Sequence, residues 1–268
     1  MRAFLAAAAF ALATPVAADP LERLMTALHI EEVVDILAIE GLESAAGLED
    51  SMFPGRGGPA WEAELARIYD REAMADSLSR LMGEAIPEDD LTPILAFLES
   101  EQGARIMSLE ISARRAFVDP SMEEAALEAF ADAEETRPEL FEGVAAFTEV
   151  NQLVEQNIEG AFRSNAAFAL GLKSTGAFPR VTAEQLTAEL WGGDEAVEAG
   201  IRDWLYAYLM TAYSPLPADD LDAYIAFSET EAGQVLNTAI METFAAHFAD
   251  TSFDLGAAAG RFMAQQEL

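Results

Sequence analysis

One stretch of this chain is written twice. Pro87-Glu88-Asp89-Asp90-Leu91-Thr92-Pro93-Ile94-Leu95-Ala96-Phe97-Leu98-Glu99-Ser100-Glu101-Gln102-Gly103 recurs 130 residues later as Pro217 to Gly233, with nine of seventeen positions identical. The same offset pairs Trp61 with Trp191, and Gly41-Leu42-Glu43-Ser44 with Gly171-Leu172-Lys173-Ser174. Three ungapped matches at one spacing point to duplication, which restricts the fold more than local propensity does. Within the stretch, Asp89, Asp90, Asp219 and Asp220 fall in a first helical turn, where carboxylates meet the positive end of the helix dipole. Leu91, Ile94, Leu95 and Leu98 form the apolar face, as do Leu221, Tyr224 and Ile225. Ser100 and Thr230 stand where the next helix needs an N-cap. Gly103 and Gly233 then occupy its third position, where a missing side chain lets two helices approach, with Phe97 or Phe227 packing across the corner. The unit reads as helix, tight corner, helix.

Helical periodicity continues elsewhere. In Pro59 to Glu84, the residues Trp61, Leu65, Ile68, Ala75, Leu78 and Met82 share one helix face, and Gly57-Gly58-Pro59 marks its start. Ser121-Met122-Glu123-Glu124 and Thr182-Ala183-Glu184-Gln185 have the form of capping boxes. Leu140, Val144, Phe147, Leu153, Val154 and Ile158 continue the pattern, as do Ile201, Leu205, Tyr208 and Ala212. No run alternates with period two. Breakers stand at the Pro54 to Pro59 loop, Asp119-Pro120, Arg137-Pro138, Gly176 to Pro179, Gly192-Gly193 and Ser214 to Pro217. The expected fold is all-α, a multi-helix bundle of two tandem diverged helical repeats. The units are expected at residues 19–122 and 148–268, with 123–147 bridging them.

The first residues carry an export pattern: Arg2, an apolar run from Ala3 to Ala13, the Thr14-Pro15 break, then Val16-Ala17-Ala18 before Asp19. This reads as a signal peptide over residues 1–18, cleaved after Ala18, with the periplasm as destination. The run is too short to anchor in a bilayer, which needs roughly 20 apolar residues. Cysteine is absent, so no lipoprotein anchor and no disulfide staple are expected. A mature chain of this length can bury roughly three quarters of its unfolded surface without one, and 51% apolar residues supply the material. Fifteen Lys and Arg against 48 Asp and Glu give a net charge of −33. Such a surface repels phosphate backbones and anionic headgroups, which argues against nucleic-acid binding and direct anionic-membrane binding. The partners left open are a protein, an apolar small ligand, or weakly held divalent cations.

The motif Pro-x-Asp-Asp-Leu followed by Phe-x-x-[Ser/Thr]-x-x-Gly resembles the core of the domain-of-unknown-function family numbered 2059. The resemblance covers Tyr206 to Phe248 well and Ile68 to Phe117 more weakly. It implies an exported, mostly helical protein of a Gram-negative bacterium, apparently with the unit in two copies, and it implies no activity. Pro87 and Pro217 depart from it where a Ser cap is expected, and Pro93 adds a restraint the second copy lacks.

Chemical motifs are few. A di-iron bundle needs Glu-x-x-His on two helices, but Thr26 and Phe244 stand three residues before the only histidines, His29 and His247. Zinc needs more Cys or His than the chain has. Gly171-Leu172-Lys173-Ser174 lacks the preceding glycine of a phosphate loop. No nucleophile elbow is present, and the carboxylates offer no chosen pair for glycoside hydrolysis. No catalytic residue, metal ligand or cofactor is therefore assigned. One aromatic set is a candidate apolar groove: Trp204, Tyr208, Met241, Phe244 and Phe248. The leading expectation is a non-enzymatic interaction or structural protein. Next comes a carrier or chaperone-like binder of an apolar ligand or client between the repeats, then a carboxylate-based cell-envelope hydrolase.

Overall fold

The computed structural model describes residues 19–176, 178–191 and 195–264. The export signal assigned to residues 1–18 and the Gly192-Gly193 break lie outside them. Among the described residues the chain is all-α with no strand, and no helix there is long and apolar enough to cross a membrane. The helices are α1 (Pro20–Ala27), α2 (Ile30–Met52), α3 (Gly58–Ile68), α4 (Arg71–Ala85), α5 (Glu88–Leu98), α6 (Glu101–Ala116), α7 (Pro120–Ala131) and α8 (Ala133–Thr136). They continue as α9 (Pro138–Val150), α10 (Leu153–Ser174), α11 (Ala183–Trp191), α12 (Glu195–Tyr213), α13 (Ala218–Ser228) and α14 (Glu231–Ala264).

The duplicated stretch takes the same backbone at both places. α5 and α13 are 11 residues each, preceded by Pro87 (φ −60°, ψ 142°) and Pro217 (φ −57°, ψ 141°). The Ser100 hydroxyl accepts from Gly103 N–H at 3.0 Å and donates to the Phe97 carbonyl at 2.6 Å. Thr230 does the same with Gly233 at 3.1 Å and Phe227 at 2.6 Å. A Cβ at Gly103 or Gly233 would lie 2.1 Å from the Phe97 or Phe227 carbonyl oxygen, so each corner needs glycine. Phe97 and Phe227 also meet each other: their rings stack with centroids 4.0 Å apart and planes at 2°. The acidic starts differ. Asp89 and Asp219 are both exposed, but Asp90 is only half-buried, whereas its counterpart Asp220 is buried and accepts from Gln102 at 2.9 Å and from Arg105.

Packing is reciprocal between the halves. α1 lies along α5 and α9 along α13, while α6 packs on α12 and α14 packs on α4. One large core therefore mixes both halves, with Leu24, Met82, Ile94 and Ile106 joined to Phe147, Leu209, Tyr213 and Leu236. α10 and α14 run together over the longest contact, where Gly171 and Gly256 remove the side chains that would separate them. A smaller cluster brings Phe53, Trp61 and Phe262 together at 5.0 to 5.5 Å, the two phenylalanines stacked and Trp61 edge-on to both.

Several local expectations are corrected. Pro59 to Glu84 is two helices, because Asp70 leaves helical geometry and caps α4 by accepting from Ala73 N–H at 2.9 Å. The seven-residue step from Ile68 to Ala75 kept the apolar phase and hid that break. Asp119, with Pro120 following it, caps α7; its carboxylate takes both the N–H and the hydroxyl of Ser121, which was expected to be the cap. The box at Thr182 and Gln185 does form. Leu140 to Ile158 is split at Gln152, which adopts φ 51° just as His29 adopts φ 52° before α2. The limits drawn at 122/123 and 147/148 fall inside α7 and α9. Trp61 and Trp191 differ in setting: Trp61 is buried in the core, and Trp191 is half-buried against exposed Phe162.

Candidate functional site

The helix α6 places its apolar residues Ile106, Met107, Ala113 and, just beyond its end, Phe117 toward the interior. Glu110 lies on that same face, four residues after Ile106 and three before Ala113. Its carboxyl meets a layer of phenols: Tyr213 donates to Oε1 at 2.6 Å, and the Tyr224 phenol stands near the same carboxyl. Tyr208 donates to the Glu110 backbone carbonyl at 3.1 Å. Burial disfavours the ionised form and pushes Glu110 up to about 7, against the pull of the two phenols. Tyr213 and Tyr224 are pushed well above the ordinary phenol range, first by burial and then by the carboxylate beside them.

Glu110 opens onto a cavity of about 440 Å³ between α2, α6, α10, α12 and α14. That volume is within the roughly 300–1,000 Å³ of small-molecule sites. All five residues of the expected groove line it: Trp204, Tyr208, Met241, Phe244 and Phe248. Val33, Leu37 and Ile111 complete an apolar wall, and Gln156 and Asn157 lie at its α10 side. Phe248 is 38% exposed and stands against Phe244 with rings 6.0 Å apart. Among the described residues lining the cavity the one cation, Arg114, is already engaged. It makes two hydrogen bonds to Glu40 at 2.5 Å each and lies 5.3 Å from the Trp204 ring centre, a cation–π distance. Trp204 in turn stacks on Tyr208 at 5.5 Å.

Three other aromatic residues of α12 and α14 lie elsewhere. Tyr206 turns to Phe130 and Phe141, Phe262 joins Trp61, and Phe253 is exposed. The repeated residues Leu91, Leu221, Asp90 and Asp219 do not line the cavity. Gly171 to Ser174, weighed as the end of a phosphate loop, is helical and packed under α14.

Glu110 was missed by the sequence reading although two signals were present. It interrupts an otherwise apolar spacing of 4, 3 and 4 from Ile106 through Ala113 to Phe117, and 130 residues later the chain has Ile240. Among the described residues lining the cavity Glu110 is the one carboxyl, and no cluster of three or more potential metal ligands occurs. Comparison with known proteins brings no matching family model, no curated relative and no solved structure to this chain.

Proposed function

We propose that this protein is a non-catalytic, exported carrier of a small apolar ligand, held where its two related halves meet. The observation that carries this reading is the cavity itself. Helices from both halves supply one continuous apolar wall with few polar groups, which is the usual build of a ligand site. A structural or protein-interaction role, ranked first by the sequence alone, gives no reason for a carboxyl-bearing apolar cleft sunk between five helices. The hydrolase alternative is disfavoured, since a two-carboxylate mechanism needs a facing pair and, among the described residues lining the cavity, Glu110 is the one carboxyl. Export through the segment ahead of Asp19, duplication of an ancestral unit and membership of the family that the corner motif resembles belong to the same proposal.

The test is to extract gently purified protein for mass spectrometry and to titrate it with a hydrophobic fluorescent dye. Binding is expected at one site per chain. Ala161 lines the cavity on α10, and Ala161→Phe is expected to weaken dye binding at least tenfold without loss of helicity. No extracted compound and no dye binding to the wild type would end the carrier reading.

A further inference from the structure

Resting on the carrier reading, we infer that the ligand is a cationic amphiphile, with its apolar body in the cavity and a single ammonium group paired with the Glu110 carboxylate. Charge balance is the first reason. Arg114 is neutralised by Glu40 and laid on Trp204, so the charge at this site left without a cation is that of Glu110. Its phenol partners are the second. Tyr213 donates to the carboxyl and the Tyr224 phenol stands near it, and a carboxylate accepts from such donors while keeping further lone pairs for an ammonium. A buried carboxylate beside a cation is strongly favoured over one left alone. The third is the surface outside: a chain of net charge −33 draws cations toward the cavity mouth and repels a fatty acid.

The pairing fixes a proton linkage. The titratable or charged groups facing Glu110 are Tyr208 and Tyr213 from α12, Tyr224 from α13 and Arg114 from its own helix. The cavity walls from α2, α10 and α14 present uncharged residues such as Leu37, Asn157 and Phe244. Burial keeps the tyrosines neutral across the ordinary pH range, so the charge that changes here is that of Glu110. With the empty site near 7, an ammonium entering below that pH must displace a proton. Above it the site is already ionised.

Decylamine, decanol and decanoate titrated into the full-length mature chain, with heats and Trp204 fluorescence as readouts, decide the matter. Decylammonium is expected to bind at pH 8 at least tenfold tighter than decanol, with its affinity falling about tenfold per pH unit below 7. Calorimetry in two buffers of different protonation heat should show about one proton released at pH 6 and almost none at pH 8. Glu110→Gln should weaken decylammonium at least tenfold and leave decanol unchanged. If that variant does not fold, the proton count on the wild type decides alone. Equal affinity for decanol and decylammonium, tightest binding of decanoate, or no proton release at pH 6 would overturn the cationic assignment and leave the carrier reading standing. Failure of all three probes to bind would remove both.

Discussion

Glu110 sits where helix periodicity calls for an apolar side chain, and its pH behaviour follows from that placement. Its folded-state value is raised, to about 7 from an ordinary 4.5, so the folded protein holds this proton more tightly than the unfolded chain. The stabilising contribution is complete below about 4.5 and is lost as pH rises through 7, by up to about 3 kcal/mol. Glu110→Gln is expected to flatten that loss in urea unfolding measured from pH 4.5 to 8. His247 works in the other direction. It is buried, its Nε2 finds no hydrogen-bond partner among the described residues, and burial lowers its pKa. Its contribution is present above the ordinary histidine value of 6.5 and is lost as pH falls below it, so His247→Gln should soften the acid limb of the same profile. At the corners, Gly103→Ala or Gly233→Ala would drive a methyl into a backbone carbonyl at 2.1 Å. Each is expected to lower stability by about 3 kcal/mol, read from the denaturant midpoint. The corner residues were legible because caps and glycines act locally. Glu110 was not, because its meaning depends on Tyr213 and Tyr224, more than a hundred positions away.

Among the elements, α10 and α14 show what a helix pair without intervening side chains can do. The Cβ of an alanine at Gly171 would meet the Phe253 carbonyl oxygen at 2.2 Å, and one at Gly256 would meet that of Phe168 at 2.2 Å. Gly171→Ala must therefore pry the helices apart. Since both helices wall the cavity, the expected outcome is weaker dye or ligand binding together with a lower melting temperature, whereas Gly47→Ala, inside α2 with open space around it, should leave binding unchanged and raise the melting temperature slightly. Helix existence was readable from apolar spacing almost everywhere. Helix ends were less so. The α3–α4 break lies in a stretch whose apolar phase runs straight through it, and Asp119 outcompetes Ser121 because Pro120 suits the first helical position.

Across the whole molecule the core is shared rather than divided. Met82 and Ile94 pack in the same cluster as Tyr213 and Leu236, so thermal unfolding followed by helicity and by tryptophan fluorescence is expected to give one coincident transition. Residues 19–131 or 138–264 expressed alone should lack stable tertiary structure, because each would expose the face that the other covers. The two corners, and their matching backbone, were visible in the sequence as an offset. Their mutual arrangement was not, since a repeat spacing says nothing about which copy a helix will lie against.

The crossing of α6 onto α12 and α14 onto α4 makes the peptide connection through Arg137 an aid to assembly rather than a strut. A chain severed there should persist as a clasped pair, and the two pieces produced together should recombine one to one. Size-exclusion chromatography and ligand titration of the nicked protein would read this directly.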